Sequence, residues 1–276
     1  MSLAAACLQA HPLADWLIRE EPRYHPVRDE VQAFEAAHAR CLPLLLKGPT
    51  GCGKTRFVEY MAWRLGKPLV TVACHDDLSV HDLTGRWLLD AGGTRWSDGP
   101  LTLAARHGAI CYLDEVFEAR PDTIVALHPL ADGRRILPLE KCGELVRAHP
   151  DFHLVASFNP GYQALAKTLK PSTRQRFTAL SFGYPDPAAE GRIIAQETGI
   201  EQDAAAKLAA LGERTRRLAG EGLEEGASTR MLIHAATLMQ AGLPPRSACM
   251  QAIAEPLTED AALLAALRDI VSASLY

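Results

Sequence analysis

The sequence predicts an α/β fold: a parallel sheet sandwiched by helices, followed by a smaller helical domain. Three observations carry this. Short apolar runs alternate with helical stretches over the first two thirds of the chain. The glycine-rich segment Gly48-Pro49-Thr50-Gly51-Cys52-Gly53-Lys54-Thr55 joins one such run to a helix. After Pro185-Asp186-Pro187 the composition turns rich in Ala, Leu, Glu and Arg.

Each element follows from its pattern. Leu42–Leu46 is a short apolar run ending before Gly48, the mark of a buried strand. Phe57, Val58, Met61, Ala62 and Leu65 recur at three- and four-residue spacing, and Gly66 ends that helix. Leu69–Ala73 is the next strand. Ala109–Leu113 runs into Asp114-Glu115, Phe152–Phe158 runs into Asn159, and Leu180–Phe182 is a fifth candidate. Strands separated by helices imply a parallel sheet covered on both faces. Residues 1–40 form a lead-in with a helix-compatible run over Val27–Arg40. Helices are predicted over Ala204–Leu218, Arg230–Gln240 and Asp260–Ala273. The boundary falls near 186, giving an αβα domain over 1–186 and a helical domain over 187–276.

Bulk properties exclude several classes. The 276 residues are 48% hydrophobic and 22% charged, too apolar for a disordered chain. A net charge of −4 leaves no global basic field, which argues against a nucleic-acid partner. No apolar run approaches the ~18–20 residues that cross a bilayer, and the first residues lack the basic start of a secretory signal. The seven cysteines, at positions 7, 41, 52, 74, 111, 142 and 249, include no CxxC pair, so reduced thiols in a cytoplasmic setting are expected.

The glycine-rich segment has the pattern GxxxxGK[ST], between a strand and a helix as that pattern requires. Glycines let backbone N–H groups turn inward around phosphate oxygens, and the helix N-terminus adds partial positive charge. Lys54 reaches the β- and γ-phosphates of ATP, and the Thr55 hydroxyl ligates Mg²⁺. The run Ile110–Leu113 ends in two acids. On a strand beside the loop strand, Asp114 would hold Mg²⁺ and Glu115 would polarise the attacking water.

Further residues have two readings each. Asn159 either orients that water or forms the turn before Pro160. Arg174 and Arg176, in the basic stretch Lys170–Phe177, either stabilise phosphoryl charge across a subunit boundary or cap a solvated helix end. Ser228 is a helix cap, with Arg230 in the first turn. A cation is mildly disfavoured at that end of the dipole unless a phosphate faces it.

Together, GPTGCGKT, Leu113–Val116, Ser157–Gly161, Pro171 with Arg174–Phe177, and Ser228–Arg230 resemble the AAA+ ATPases of the MoxR group. Within that group the chain is most similar to the CbbQ/NirQ/NorQ subfamily, on Ala109–Phe117, His128–Arg135 and His81–Trp87. The resemblance covers roughly residues 25–245. It implies an ATP-driven ring, usually a homo-hexamer, with each site at a subunit interface. It makes Gly48–Thr55 the Walker A loop, Asp114-Glu115 the Walker B pair, Asn159 sensor 1 and Arg230 sensor 2. Arg176, preceding Phe177, fits the arginine finger best, with Arg174 its rival. Leu88–Trp96 and Gly133–Leu145 match hairpins that face the pore or a partner in the family, and their Gly turns agree with hairpins. Trp87 and Trp96 read equally well as core.

The subfamily's clients are two. Some members act with a von Willebrand factor A-domain adaptor of the CbbO kind to remodel Rubisco and release inhibitory sugar phosphates. Others activate nitric oxide reductase. The overall likeness over 75–161 leans to Rubisco, with a cytoplasmic or carboxysome-associated location. The rival of another class is a P-loop small-molecule kinase. Two features are set aside: His75-Asp76-Asp77 and His81-Asp82 match no zinc spacing, and Cys52 fills a loop position that tolerates any small residue.

Overall fold

The computed structural model describes residues 12–90, 92–160, 170–220 and 222–274. The amino-terminal stretch and Gly161 of the Ser157–Gly161 motif lie outside them. The chain divides into two compact units. One contains the chain up to Lys47 together with Lys54–Ser181; the other contains Gly48–Gly53 and the chain from Phe182 onward.

The first unit is built on five parallel strands, β1 (Leu44–Lys47), β2 (Leu69–Ala73), β5 (Ile110–Asp114), β8 (His153–Phe158) and β9 (Thr178–Ser181). Their order is β2-β5-β8-β1-β9. β8 is buried at all six positions and β5 at four of five, so both strands are continuous apolar runs rather than alternating ones. The order corrects one expectation. The acid-bearing strand β5 does not lie beside the loop strand β1; β8 separates them. Two strand spacings of ~4.8 Å therefore stand between them. The gap is spanned because Thr55 lies beyond the loop, in the first turn of the following helix. β1 also starts at Leu44, two residues later than the apolar run; the Pro43 carbonyl still accepts a bond from the Thr178 N–H, at 2.9 Å.

Helices α1 (Glu30–Ala39), α2 (Lys54–Leu65), α3 (Val80–Thr84), α4 (Pro100–His107), α5 (Pro121–Ala126), α6 (His128–Ala131) and α7 (Pro171–Arg174) accompany the sheet. Phe57, Val58 and Met61 of α2 are fully buried, the apolar stripe that its spacing predicted.

This unit also contains two antiparallel hairpins: β3 (Gly85–Asp90) with β4 (Gly93–Asp98), and β6 (Ile136–Leu139) with β7 (Glu144–Arg147). Arg106 of α4 ties them together. Its guanidinium bonds Asp98 of β4 at 2.7 Å and forks onto Glu144 of β7 at 2.5 and 2.6 Å. The Trp87 indole N–H donates to the Lys141 carbonyl at 3.1 Å, a second link. Trp96 packs on the core, whereas Trp87 is half exposed and meets Trp96 edge-on. The core reading therefore holds for Trp96 and is corrected for Trp87.

The second unit is helical: α8 (Pro187–Thr198), α9 (Gln202–Arg217), α10 (Thr229–Gln240), α11 (Pro245–Cys249), α12 (Glu255–Leu257) and α13 (Ala261–Ser274). A π-helical turn over Met250–Ala254 joins α11 to α12. Ile194, Leu208, Leu211, Leu232, Ile253 and Val271 form its core. Local chemistry sets the helix ends. The Asp186 carboxylate caps α8 by accepting from the Ala189 N–H at 2.8 Å, and Gly199 closes it in the left-handed region.

Candidate functional site

The loop after β1 turns on glycines. Gly51 and Gly53 have φ of +67° and +98°, where a Cβ is disfavoured. A Cβ on Gly51 would also lie 2.7 Å from Cβ of Ser228. Within the second unit the loop is thus seated against the start of α10. Ser228 caps that helix, accepting from the Met231 N–H at 3.4 Å. Arg230, in its first turn, is exposed and lies on the same side, its Cβ 3.4 Å from that Gly51 position. The Thr50 carbonyl accepts from the Tyr184 hydroxyl at 3.0 Å. Pro49 completes the turn, and Cys52 is half-buried within it.

The first unit gathers the remaining polar residues. Lys54 opens α2 and is buried. Its ammonium donates to Oδ1 of Asn159 at 2.6 Å, and Nδ2 of Asn159 donates to Oε1 of Glu115 at 3.1 Å. One amide therefore joins the loop lysine to the second acid. Thr55 Oγ1 donates to Oδ2 of Asp114 at 3.2 Å. Residues 54, 55, 114, 115 and 159 are brought together by the ends of β5 and β8 and the start of α2.

Two residues that motif reading missed hold these acids in place. The Tyr112 hydroxyl donates to Oδ1 of Asp114 at 2.8 Å and lies 3.3 Å from Thr55 Oγ1. Burial, reinforced by the Asp114 charge, raises the Tyr112 pKa and keeps the phenol a neutral donor. Ser157, fully buried on β8, donates to the same Oδ1 at 2.5 Å and accepts from the Glu115 N–H at 3.0 Å. Glu115 has φ 55° and ψ 47°, left-handed for a non-glycine, at a cost of roughly 1–3 kcal/mol. Ser157 captures the N–H that this turn directs. The available signal was period two: Tyr112 shares a strand face with Asp114, and Ser157 with Asn159.

The two arginines near β9 differ. Arg176 is engaged within its own chain: it donates to the Ser172 carbonyl and lies 4.0 Å from Asp132. Asp132 is drawn down to about 2, first by its bond to Arg134. Arg174 is exposed, and among the described residues its side chain makes no hydrogen bond or ion pair. Neither arginine bonds Lys54, Asp114, Glu115 or Asn159. No group of three or more His, Cys, Asp or Glu that could hold a metal occurs among the described residues, so the stretch around His75 and His81 forms no such cluster.

The arrangement suits triphosphate chemistry. The first unit offers a buried ammonium, hard oxygen donors at Thr55 and Asp114, and a carboxylate bonded by an amide. Comparison with known proteins agrees. Residues 43–177 match the AAA domain of the dynein-related subfamily, and residues 190–274 match the CbbQ/NirQ/NorQ C-terminal family. The chain is 59% identical to Protein CbbQ of Hydrogenophilus thermoluteolus over 253 residues, 92% of this chain and 95% of that one. It is 58% identical to Protein NorQ of Paracoccus denitrificans over 254 residues, 92% and 94% of the two chains. It is 59% identical to the denitrification regulatory protein NirQ of Pseudomonas aeruginosa over 250 residues, 91% and 96%. Among solved structures, a putative ATPase from Cytophaga hutchinsonii superposes with a TM-score of 0.52 at 17% identity, covering 89% of this chain and 88% of that one. A RuvB mutant of Thermotoga maritima gives 0.53 at 16%, covering 87% and 67%. At such identities these two bear on the fold only. No described helix is long and apolar enough to cross a membrane.

Proposed function

Because the chain belongs to the CbbQ/NirQ/NorQ family of AAA ATPases, and so hydrolyses ATP, we propose that it works as a homo-hexameric ring motor that remodels a client protein. The observation that carries the site assignment is the chain Lys54–Asn159–Glu115. Gly48–Thr55 would cradle the phosphates, with Lys54 on the β- and γ-oxygens. Thr55 and Asp114 would hold Mg²⁺. Their oxygens converge at 3.2 Å, and hard oxygens are what this ion takes. Bound there, the ion would offset charge developing on the phosphate oxygens. Glu115 would take the proton of the attacking water, and Asn159 would aim it.

Arg230 would meet phosphate charge from the α10 end. For the finger acting on a neighbouring subunit's nucleotide, the exposed guanidinium of Arg174 is favoured over Arg176, which is bonded within its own chain. The kinase alternative has no support in the family matches.

For the client, the reading is Rubisco, reached through a von Willebrand factor A-domain adaptor, with release of inhibitory sugar phosphates. Its support is the likeness over residues 75–161 and the CbbQ relative. A second reading, activation of nitric oxide reductase, is favoured by the NorQ and NirQ relatives, whose identity to this chain is nearly equal. The test is co-purification from the source cell with the Glu115→Gln variant and ATP, which should trap a stable ring on its client. Rubisco with an A-domain protein supports the first reading, and a reductase subunit the second. Hydrolysis by the variant at the wild-type rate would remove Glu115 as base.

A further inference from the structure

We propose that the buried ion pair Glu190–Arg216 is a positioning device for two nucleotide-facing parts at once, the phosphate loop and Arg230. The proposal rests on the nucleotide reading of Gly48–Thr55. The clamp residues, Thr50 and Arg230 all lie in the second unit.

Glu190, in the first turn of α8, is 0% exposed. Arg216, near the end of α9, forks onto it with bonds of 2.7 and 2.8 Å. Two charges taken from water need their remaining valences satisfied. The partners that satisfy them are informative. Thr229 Oγ1 donates to Oε1 of Glu190 at 2.5 Å, and Nε of Arg216 donates to the Ala227 carbonyl at 2.8 Å. The Ala227 N–H donates to Thr215 Oγ1 at 3.0 Å. Gly226 is pressed on the Arg216 backbone, where a Cβ would come within 2.4 Å of Cα. Residues 226, 227 and 229 are therefore all clamped by the pair or its neighbour. Ser228 and Arg230 belong to that same stretch, so the clamp sets where Arg230 starts from.

The second arm runs to the loop. The Arg216 guanidinium carbon lies 3.8 Å from the centroid of the Tyr184 ring. That stacking suits a planar, weakly hydrated cation. The Tyr184 hydroxyl in turn donates to the Thr50 carbonyl at 3.0 Å. The ring is thus gripped between a fixed cation and the loop backbone. A buried pair that serves stability only can be replaced by apolar residues of similar volume. Here its arms end on the loop carbonyl and on the residues that precede Arg230, which apolar replacements would not hold.

The test titrates a fluorescent ADP analogue onto the full-length chain. Tyr184→Phe removes only the hydroxyl on Thr50 and should weaken ADP about two- to tenfold, the range for one hydrogen bond. Arg216→Lys keeps charge but loses the fork, and should weaken ADP by a similar factor. Arg230→Ala should then cost less in the Arg216→Lys background than in the wild type, since Arg230 is no longer aimed there. The double variant Glu190→Met with Arg216→Leu leaves no unpaired buried charge. It should melt near the wild-type temperature and still bind ADP more weakly. Wild-type ADP affinity in Tyr184→Phe and in the folded double variant would overturn the proposal, provided Lys54→Ala abolishes binding. Retained binding in Lys54→Ala would overturn the loop reading itself, and this proposal with it.

Discussion

The Lys54 ammonium donates to the Asn159 amide oxygen across 2.6 Å, although 105 residues separate the two in the chain. The other end of that amide donates to Glu115. Asn159 thus joins the loop lysine to the candidate base.

Asn159→Ala should lower ATP turnover by about 10- to 100-fold, somewhat less than losing a general base outright. Nucleotide should still bind, because the cradle and Lys54 are intact. The comparison is single-turnover hydrolysis beside equilibrium ADP binding. A variant that turns over normally would show that the amide is only a turn former.

Ser157→Ala deletes a donor to Asp114 and the acceptor of the Glu115 N–H together. Leaving that part-buried Glu115 amide without its acceptor costs up to about 1–3 kcal/mol, visible as a lower denaturation midpoint. The Mg²⁺ concentration needed for half-maximal ADP binding should also rise. Tyr112→Phe should share the Mg²⁺ effect with a smaller stability loss, since it leaves no N–H orphaned.

Gly51→Ala forces a Cβ into a left-handed residue and against Ser228. Nucleotide affinity should collapse, with roughly 1–3 kcal/mol lost from stability. Binding by isothermal titration and unfolding in urea report the two effects separately. Wild-type behaviour in both would contradict the seating of the loop on α10.

Arg174→Ala and Arg176→Ala should separate. The first should reduce turnover of assembled protein by about 10³-fold without loss of nucleotide binding, as for a residue acting in trans. The second should mainly lower stability, since its bonds are to its own chain. Mixing Arg174→Ala with Lys54→Ala subunits should restore part of the turnover. No restoration at any ratio would argue against action across an interface.

Acid should destabilise the first unit through His153. Burial, helped by the nearby His38 and Arg135 charges, lowers its pKa to about 4. The unfolded imidazole titrates near 6.5. Between these values the unfolded state binds more protons, so stability falls as the pH drops from about 6.5 to about 4. At pH 5 the loss is roughly 1–2 kcal/mol. His153→Gln places a side-chain amide N–H near the Nε2 position for the Leu42 carbonyl and should flatten that dependence in urea unfolding. An unchanged slope would place the acid sensitivity elsewhere.

The sequence by itself determined the parts whose physics is local. A glycine loop between an apolar strand and an amphipathic helix, acids at a strand end, a Ser cap ahead of Arg230 and the helices beyond residue 186 all follow from neighbours within a turn or two. Tertiary structure decided what faces what. The strand order set β8 between β5 and β1, so Ser157 rather than any loop residue came to bridge Asp114 and Glu115. The Arg-Phe pair favoured Arg176 over Arg174 as the finger; that Arg176 is bonded within its own chain came only from the fold. Nothing in the local strings marked Glu190, Arg216 or Tyr184, because an ion pair and a stacked ring depend on helices packing across dozens of residues. Such contacts are fixed by strand order and helix packing, which short-range periodicity does not encode.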